Sequence, residues 1–234
     1  MESTVYDAIV VGTGISGGWA AKELCENGLK TLVLERGRMV EHIKDYPTMN
    51  KDDWDFKLRG QLSLEEKKKY YSENRKWAPS EDNAHFFVNS IDHPYVETKR
   101  FDWLRGYHVG GRSITWGRQS YRWSDIDFGA NKKDGHGVDW PIRYNDLKKW
   151  YDHVELFAGI SGSNDGLSQL PDGKFQPAME MNCVEAELKK RMEELYDDRK
   201  LIIGRCAHLT KPTEEQLELG RGTCQSRNQC QRGC

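Results

Sequence analysis

Gly12, Gly14 and Gly17 form the spacing G-x-G-x-x-G, with Thr13, Ile15 and Ser16 between them. Each glycine in such a run has a separate task. The first allows a tight turn, the second lets backbone approach a pyrophosphate, and the third brings helix close to strand. A helix starting here offers unpaired N–H groups and a partial positive charge to phosphate. Glu35 follows 18 residues after Gly17, where a carboxylate can accept hydrogen bonds from both hydroxyls of a ribose. Arg36 would suit a 2′-phosphate, but Glu35 beside it would repel one. The pattern reads as dinucleotide binding, with a tight turn that holds no ligand as the alternative.

A second glycine-rich stretch, GYHVGGRSITWG at 106–117, carries hydroxyls and a tryptophan. Gly110 and Gly111 would let backbone come close to a bulky group, Ser113 and Thr115 could donate hydrogen bonds to it, and Trp116 offers a flat apolar wall. A β-turn with a packed tryptophan explains the same residues. A third constellation is Cys224, Cys230 and Cys234 in a loop with Gly222 and Gly233. Three thiolates at short spacing suit an iron–sulfur cluster. A zinc site would need a fourth ligand such as Cys206 or His208, and plain thiols remain a third option.

The elements that must position these residues follow from pattern. Ala8-Ile9-Val10-Val11 and Thr31-Leu32-Val33-Leu34 are short continuous apolar runs, as expected of parallel strands buried on both faces. A helix through Ala20, Ala21 and Leu24 connects them, with Gly28 as its stop. Residues 1–37 thus read as a dinucleotide-binding strand–helix–strand unit. Residues 38–105 mix charge with scattered aromatics and read as an insertion of short elements, including a helix near 62–71. Residues 106–234 carry the glycine loop and the rest of the nucleotide-binding region. Within them a turn is expected at 134–137 and an amphipathic helix over about 145–158. A second helix is expected over 183–197, braced by Glu185–Lys189 and Glu187–Arg191, then a strand at 201–203. The chain ends at Cys234 inside the cysteine motif and reads as cut off.

Composition excludes several classes. With 35 basic and 37 acidic residues the net charge is −2, which gives no general attraction to nucleic acid. No apolar run reaches the roughly 20 residues needed to cross a bilayer. Eight Trp, ten Tyr and seven Phe argue against disorder. The N-terminal residues show no basic leader, so the expected address is cytoplasmic.

Three segments together carry a resemblance: residues 7–37, the stretch 109–117, and 139–147 running on to Gly159-Ile160-Ser161-Gly162. In this order they resemble the N-terminal part of glucose–methanol–choline (GMC) flavoprotein oxidoreductases. The branch is the one with gluconate, sorbose and fructose dehydrogenase flavoprotein subunits; pyranose oxidases are more distant. The resemblance implies an α/β, Rossmann-like FAD-binding domain of the p-hydroxybenzoate-hydroxylase-like architecture, truncated before a substrate domain is complete. It implies FAD with its pyrophosphate on Gly12, Thr13, Gly14, Ser16 and Gly17 and its ribose at Glu35 and Arg36. Gly110, Gly111, Ser113, Thr115 and Trp116 would border the isoalloxazine. Thr115 stands where pyranose oxidases carry a flavin-linking histidine, which implies non-covalent FAD.

The implied reaction moves hydride from a hydroxyl-bearing carbon of a sugar, polyol or other alcohol to the flavin, as a dehydrogenase with an electron-transfer partner subunit. Its catalytic base would be a histidine in a C-terminal half that this sequence lacks. No catalytic residue is named here, and the chain alone is expected to be inactive. His108 is expected to be structural. The Cys224–Cys230–Cys234 spacing is similar to that of a three-iron cluster in some dehydrogenases of this branch. Two other readings stay open. One is an NAD-dependent oxidoreductase, which leaves 106–117 unexplained; the other is a non-catalytic piece of a split flavoenzyme.

Overall fold

A computed structural model describes residues 4–76 and 78–233. The chain is mixed α/β with a small parallel sheet, and it divides into two compact units. One runs to Gly117 and takes in the residues from Ser226 onward; the other is Arg118–Gln225.

The first unit opens with β1 (Ala8–Val11), α1 (Ile15–Glu26) and β2 (Thr31–Leu34). The strands are parallel, with Ala8 opposite Thr31 and Val11 opposite Leu34. Helix α1 ends as the sequence suggests. Gly28 takes φ +80°, its N–H donates to Cys25 O and the Leu29 N–H to Leu24 O, a pair of bonds that satisfies the last carbonyls. The expectation of strands buried on both faces does not hold. Only Val10 of the two strands is buried, whereas Ile9 and Val11 are 62% and 81% exposed. The physical reason is that α1 packs on the pair while, among the described residues, no third strand joins the sheet.

Burial in this unit lies instead within the short elements of 38–105. These include α2 (Leu64–Lys69), capped by Ser63 and Glu66, and α3 (Tyr71–Asn74). The expected helix near 62–71 is thus two shorter ones, separated at Tyr70. Phe56, Leu62, Ala84, Phe86, Phe87 and Val88 form the buried apolar set. Phe86 meets Tyr46 and the imidazole of His108 with ring centroids 5.2 and 5.7 Å apart. The returning C-terminal segment joins here: the buried guanidinium of Arg232 donates to Asp82 (3.0 Å) and Asp53 (2.9 Å) and lies over the Phe56 ring.

The second unit contains α4 (Asp125–Phe128), α5 (Ala130–Asp134), α6 (Tyr144–Ala158), α7 (Cys183–Leu195) and α8 (Glu214–Glu218). Gly135 and Gly159 take left-handed φ at the ends of α5 and α6. Both long helices appear where periodicity puts them, but their apolar stripes are not core. Trp150 of α6 and Val184, Leu188 and Leu195 of α7 are exposed, and the buried residue of α6 is Glu155. Glu155 accepts both a 2.8 Å bond and a second, shorter one from the buried Arg122, whose Nη1 donates to the Tyr144 hydroxyl. On α7, Glu185 caps the Asn182 N–H and Lys189 pairs with Glu193, so the expected Glu185–Lys189 bridge is replaced; Glu187–Arg191 does form, at 3.4 Å. Residues 201–203 are not a strand. Pairing falls three residues later, where Cys206 bridges both Gln119 and Ser161. Among the described residues no helix is long and apolar enough to cross a membrane.

Candidate functional site

The turn after β1 has the shape its glycines allow. Gly12 takes φ +89° and its N–H donates to Leu34 O at 2.7 Å. A Cβ on Gly17 would lie 2.0 Å from Gly12 O, so only glycine lets α1 sit this close to the turn. Gly12 and Gly14, by contrast, face open space. Gly14 precedes α1 in extended conformation and no side chain caps the helix, so its first N–H groups are left for a ligand. Ser16 lies in that first, exposed turn.

Glu35, just past β2, reaches back across the turn. Its Oε2 accepts the Thr13 hydroxyl at 2.5 Å and the Thr13 N–H at 2.8 Å; its Oε1 accepts the Gly37 N–H at 2.8 Å. The Thr13 hydroxyl above all, then the Gly37 and Thr13 amides, hold the carboxyl down from 4.5 to about 2. At neutral pH it is therefore an anion that can only accept. With at least three donors already on it, Glu35 has at most one acceptor position left, fewer than two ribose hydroxyls require.

The second glycine stretch comes to the same place. Beyond Glu35 the chain runs beside residues 107–109. Arg38 bridges His108 in parallel, the Val109 N–H donates to Arg38 O at 2.8 Å, and a Cβ on Gly37 would meet His108 N at 2.2 Å. The Gly110 N–H donates to the Thr13 hydroxyl at 3.0 Å, and a Cβ on Gly111 would lie 3.2 Å from Gly14 Cα. Residues 111–115 then form one 3-10 turn, against which α1 packs. A cavity of about 370 Å³ lies here, lined by Gly12–Gly14 and Glu35–Arg36 on one side and by 103–108, Gly111 and Arg112 on the other. That is on the scale of small-molecule pockets, about 300–1,000 Å³.

Other expected residues hold different places. The Ser113 hydroxyl donates to Gly110 O at 2.6 Å, and Thr115 exchanges hydrogen bonds with Arg112, so both hydroxyls brace the turn itself. Trp116 closes that turn, its N–H donating to Ser113 O. The Arg36 guanidinium lies over the Tyr107 ring, 3.6 Å from its centroid, and Tyr107 also accepts a hydrogen bond from Arg105. Tyr107, Trp103 and Arg105 were not singled out in the sequence; an aromatic just before a glycine pair was the one hint. His108 is buried, with Nε2 3.2 Å from Phe86 O.

The cysteine constellation falls only partly within the described residues. Cys224 and Cys230 fall in different compact units and Cys234 lies outside the described residues. Among the described residues no group of three or more His, Cys, Asp or Glu is placed to hold a metal, so the iron–sulfur expectation finds no support.

No known protein-family model matches the chain. Curated proteins do. It is 28% identical over 173 residues to the fructose dehydrogenase large subunit of Gluconobacter japonicus, covering 70% of this chain and 29% of that protein. It is 29% identical over 176 residues to a gluconate 2-dehydrogenase flavoprotein of Pantoea cypripedii, covering 69% and 26%. It is also 24% identical over 168 residues to paromamine 6′-oxidase of Streptomyces fradiae, covering 70% and 25%. The aligned part thus spans between a quarter and a third of each relative's length. The chain is similar to proteins named as dehydrogenases and oxidases, including a flavoprotein.

Proposed function

We propose that this chain is the nucleotide-holding part of an FAD-dependent oxidoreductase of the GMC type, with a Rossmann-like FAD-binding region. The observation that carries this reading is the meeting of two glycine stretches far apart in sequence: the Gly110 N–H on Thr13, and Gly111 against Gly14, beside one cavity. A bare dinucleotide turn needs only the first stretch. The second gives a reason for a ligand that reaches past the pyrophosphate, which favours FAD over NAD.

In this reading the open N-terminus of α1 and the bare backbone at Gly12 and Gly14 take the pyrophosphate, and the ionised Glu35 takes a ribose hydroxyl. Arg36, held flat on Tyr107, presents a planar cation to the adenosine side. The 3-10 turn at 111–115, braced by Ser113 and Thr115, borders the flavin without a covalent link. Bound flavin would accept the hydride taken from a hydroxyl-bearing carbon. The names of the relatives support a sugar, polyol or other alcohol as substrate and a dehydrogenase with an electron-accepting partner subunit. No proton-accepting residue for that substrate is assigned within this chain.

The test is the absorption spectrum of the purified chain before and after acid precipitation, followed by titration with FAD and with NAD. Flavin bands released to the supernatant, or saturable FAD binding with none by NAD, are expected. Saturable binding of NAD with no response to FAD would overturn the reading.

A further inference from the structure

Thr13 sits where three separate segments meet. Its hydroxyl has one proton to give and lone pairs with which to accept. An ionised Glu35 has no proton to return, so the hydroxyl must donate to Oε2. Its lone pairs are thereby turned to the Gly110 N–H, 97 residues away in sequence. The line continues, because Gly110 O accepts both the hydroxyl (2.6 Å) and the N–H (3.1 Å) of Ser113. Every hydrogen along Glu35, Thr13, Gly110 and Ser113 therefore has a fixed direction. Gly110 itself stands at φ +89°, the left-handed hinge from which the 111–115 turn departs.

We propose that Thr13 is a positioning residue that couples the carboxylate of Glu35 to the loop at 110–116, so that nucleotide ribose and loop compete for one hydroxyl's allegiance. The proposal rests on the FAD reading above. Two donors from Thr13 already occupy Oε2. A ribose that engages Glu35 with both hydroxyls must displace one of its donors, and the Thr13 hydroxyl is the one of the three carried on a rotatable side chain; once displaced, it no longer orients its lone pairs at Gly110. A ligand that ends at the pyrophosphate profits from a free Glu35. A ligand that also needs the loop in place loses by it. Thr13 thus discriminates between the two lengths of ligand, a property that a residue serving packing alone would lack.

The experiment uses the full chain with Thr13→Val, which keeps the shape and removes the hydroxyl, and Thr13→Ser, which restores it. Thr13→Ala serves if the valine variant does not fold. In the absence of nucleotide, amide exchange at Gly110 is expected to quicken about tenfold in Thr13→Val, the scale of one lost hydrogen bond, and to stay unchanged in Thr13→Ser. FAD affinity is expected to fall by a similar factor, about tenfold, in Thr13→Val, while ADP affinity holds or rises. Equal weakening of FAD and ADP, or Gly110 exchange that ignores the valine substitution, would overturn the coupling. Wild-type protein that binds ADP but not FAD would sink the FAD reading, and the Gly110 exchange would still report on the hydrogen-bond line by itself. Wild-type protein that binds neither ligand would overturn both.

Discussion

Within the first unit, regular backbone and buried side chains lie in different places. β1 and β2 pair in parallel and α1 packs on them, yet α1 buries no residue and the outward side chains of β1 meet solvent. Among the described residues, the segment 38–105 has only one-turn and two-turn helices, and it holds Phe56, Leu62, Phe86 and Phe87 out of water, Phe86 at 2% exposure. The nucleotide turn is therefore shaped by glycine conformations and hydrogen bonds, and needs few side chains to define it. The loop at 106–117 depends on packing, since His108 leans on Phe86 and Arg112 hydrogen-bonds to Leu104 O and lies over Phe87. The two halves of the candidate site are held by different physics.

That difference can be broken on either side. Phe86→Ala removes the ring on which Tyr46 and His108 rest and is expected to cost about 3–5 kcal/mol in chemical denaturation, with FAD binding lost alongside. Gly17→Ala acts on the other half. Its methyl would collide with Gly12 O, so a stability loss of about 1–3 kcal/mol is expected, together with a loss of ADP binding measured by titration calorimetry. The smallest effect belongs to Ile9→Thr on the exposed face of β1, expected within about 0.5 kcal/mol in the same denaturation assay. A cost as large as that of Phe86→Ala would mean that the face of β1 is covered in solution and would erase the contrast.

The parts of the site that backbone builds were legible in the sequence. Gly12, Gly14 and Gly17 have few reasons to recur at that spacing between two apolar runs, and Glu35 stands at the end of the second run. The helix end at Gly28 was legible for the same reason, since left-handed turns demand a residue type. Partnerships across long separations were not. Nothing in the spelling of Thr13 tells that its hydroxyl bridges Glu35 and Gly110, or that Arg36 lies on Tyr107. Amphipathic pattern also misled. Leu147, Trp150 and Val154 make a convincing stripe on α6, but the buried position is Glu155, where Arg122 supplies an opposite charge that offsets the cost of taking a carboxylate out of water. At 201–203 three apolar residues in a row have, among the described residues, no neighbouring strand to bond with, and sequence cannot supply one.

The pairing of Arg232 with Asp82 sets an order of events. These residues are 150 positions apart, and the whole of the second compact unit is spelled out between them. On an emerging chain, the aromatic segment must wait for its last cation while another unit is made. During that interval Asp82, buried in the finished protein, has only the Ser80 hydroxyl beside it among these contacts. Closing so long an excursion is not itself prohibitive, since each doubling of a loop adds only about 0.6 kcal/mol. It is slow, however, because contacts of high sequence separation form late. The second unit gains time to fold as a closed parenthesis, and the first is sealed only after that parenthesis is shut.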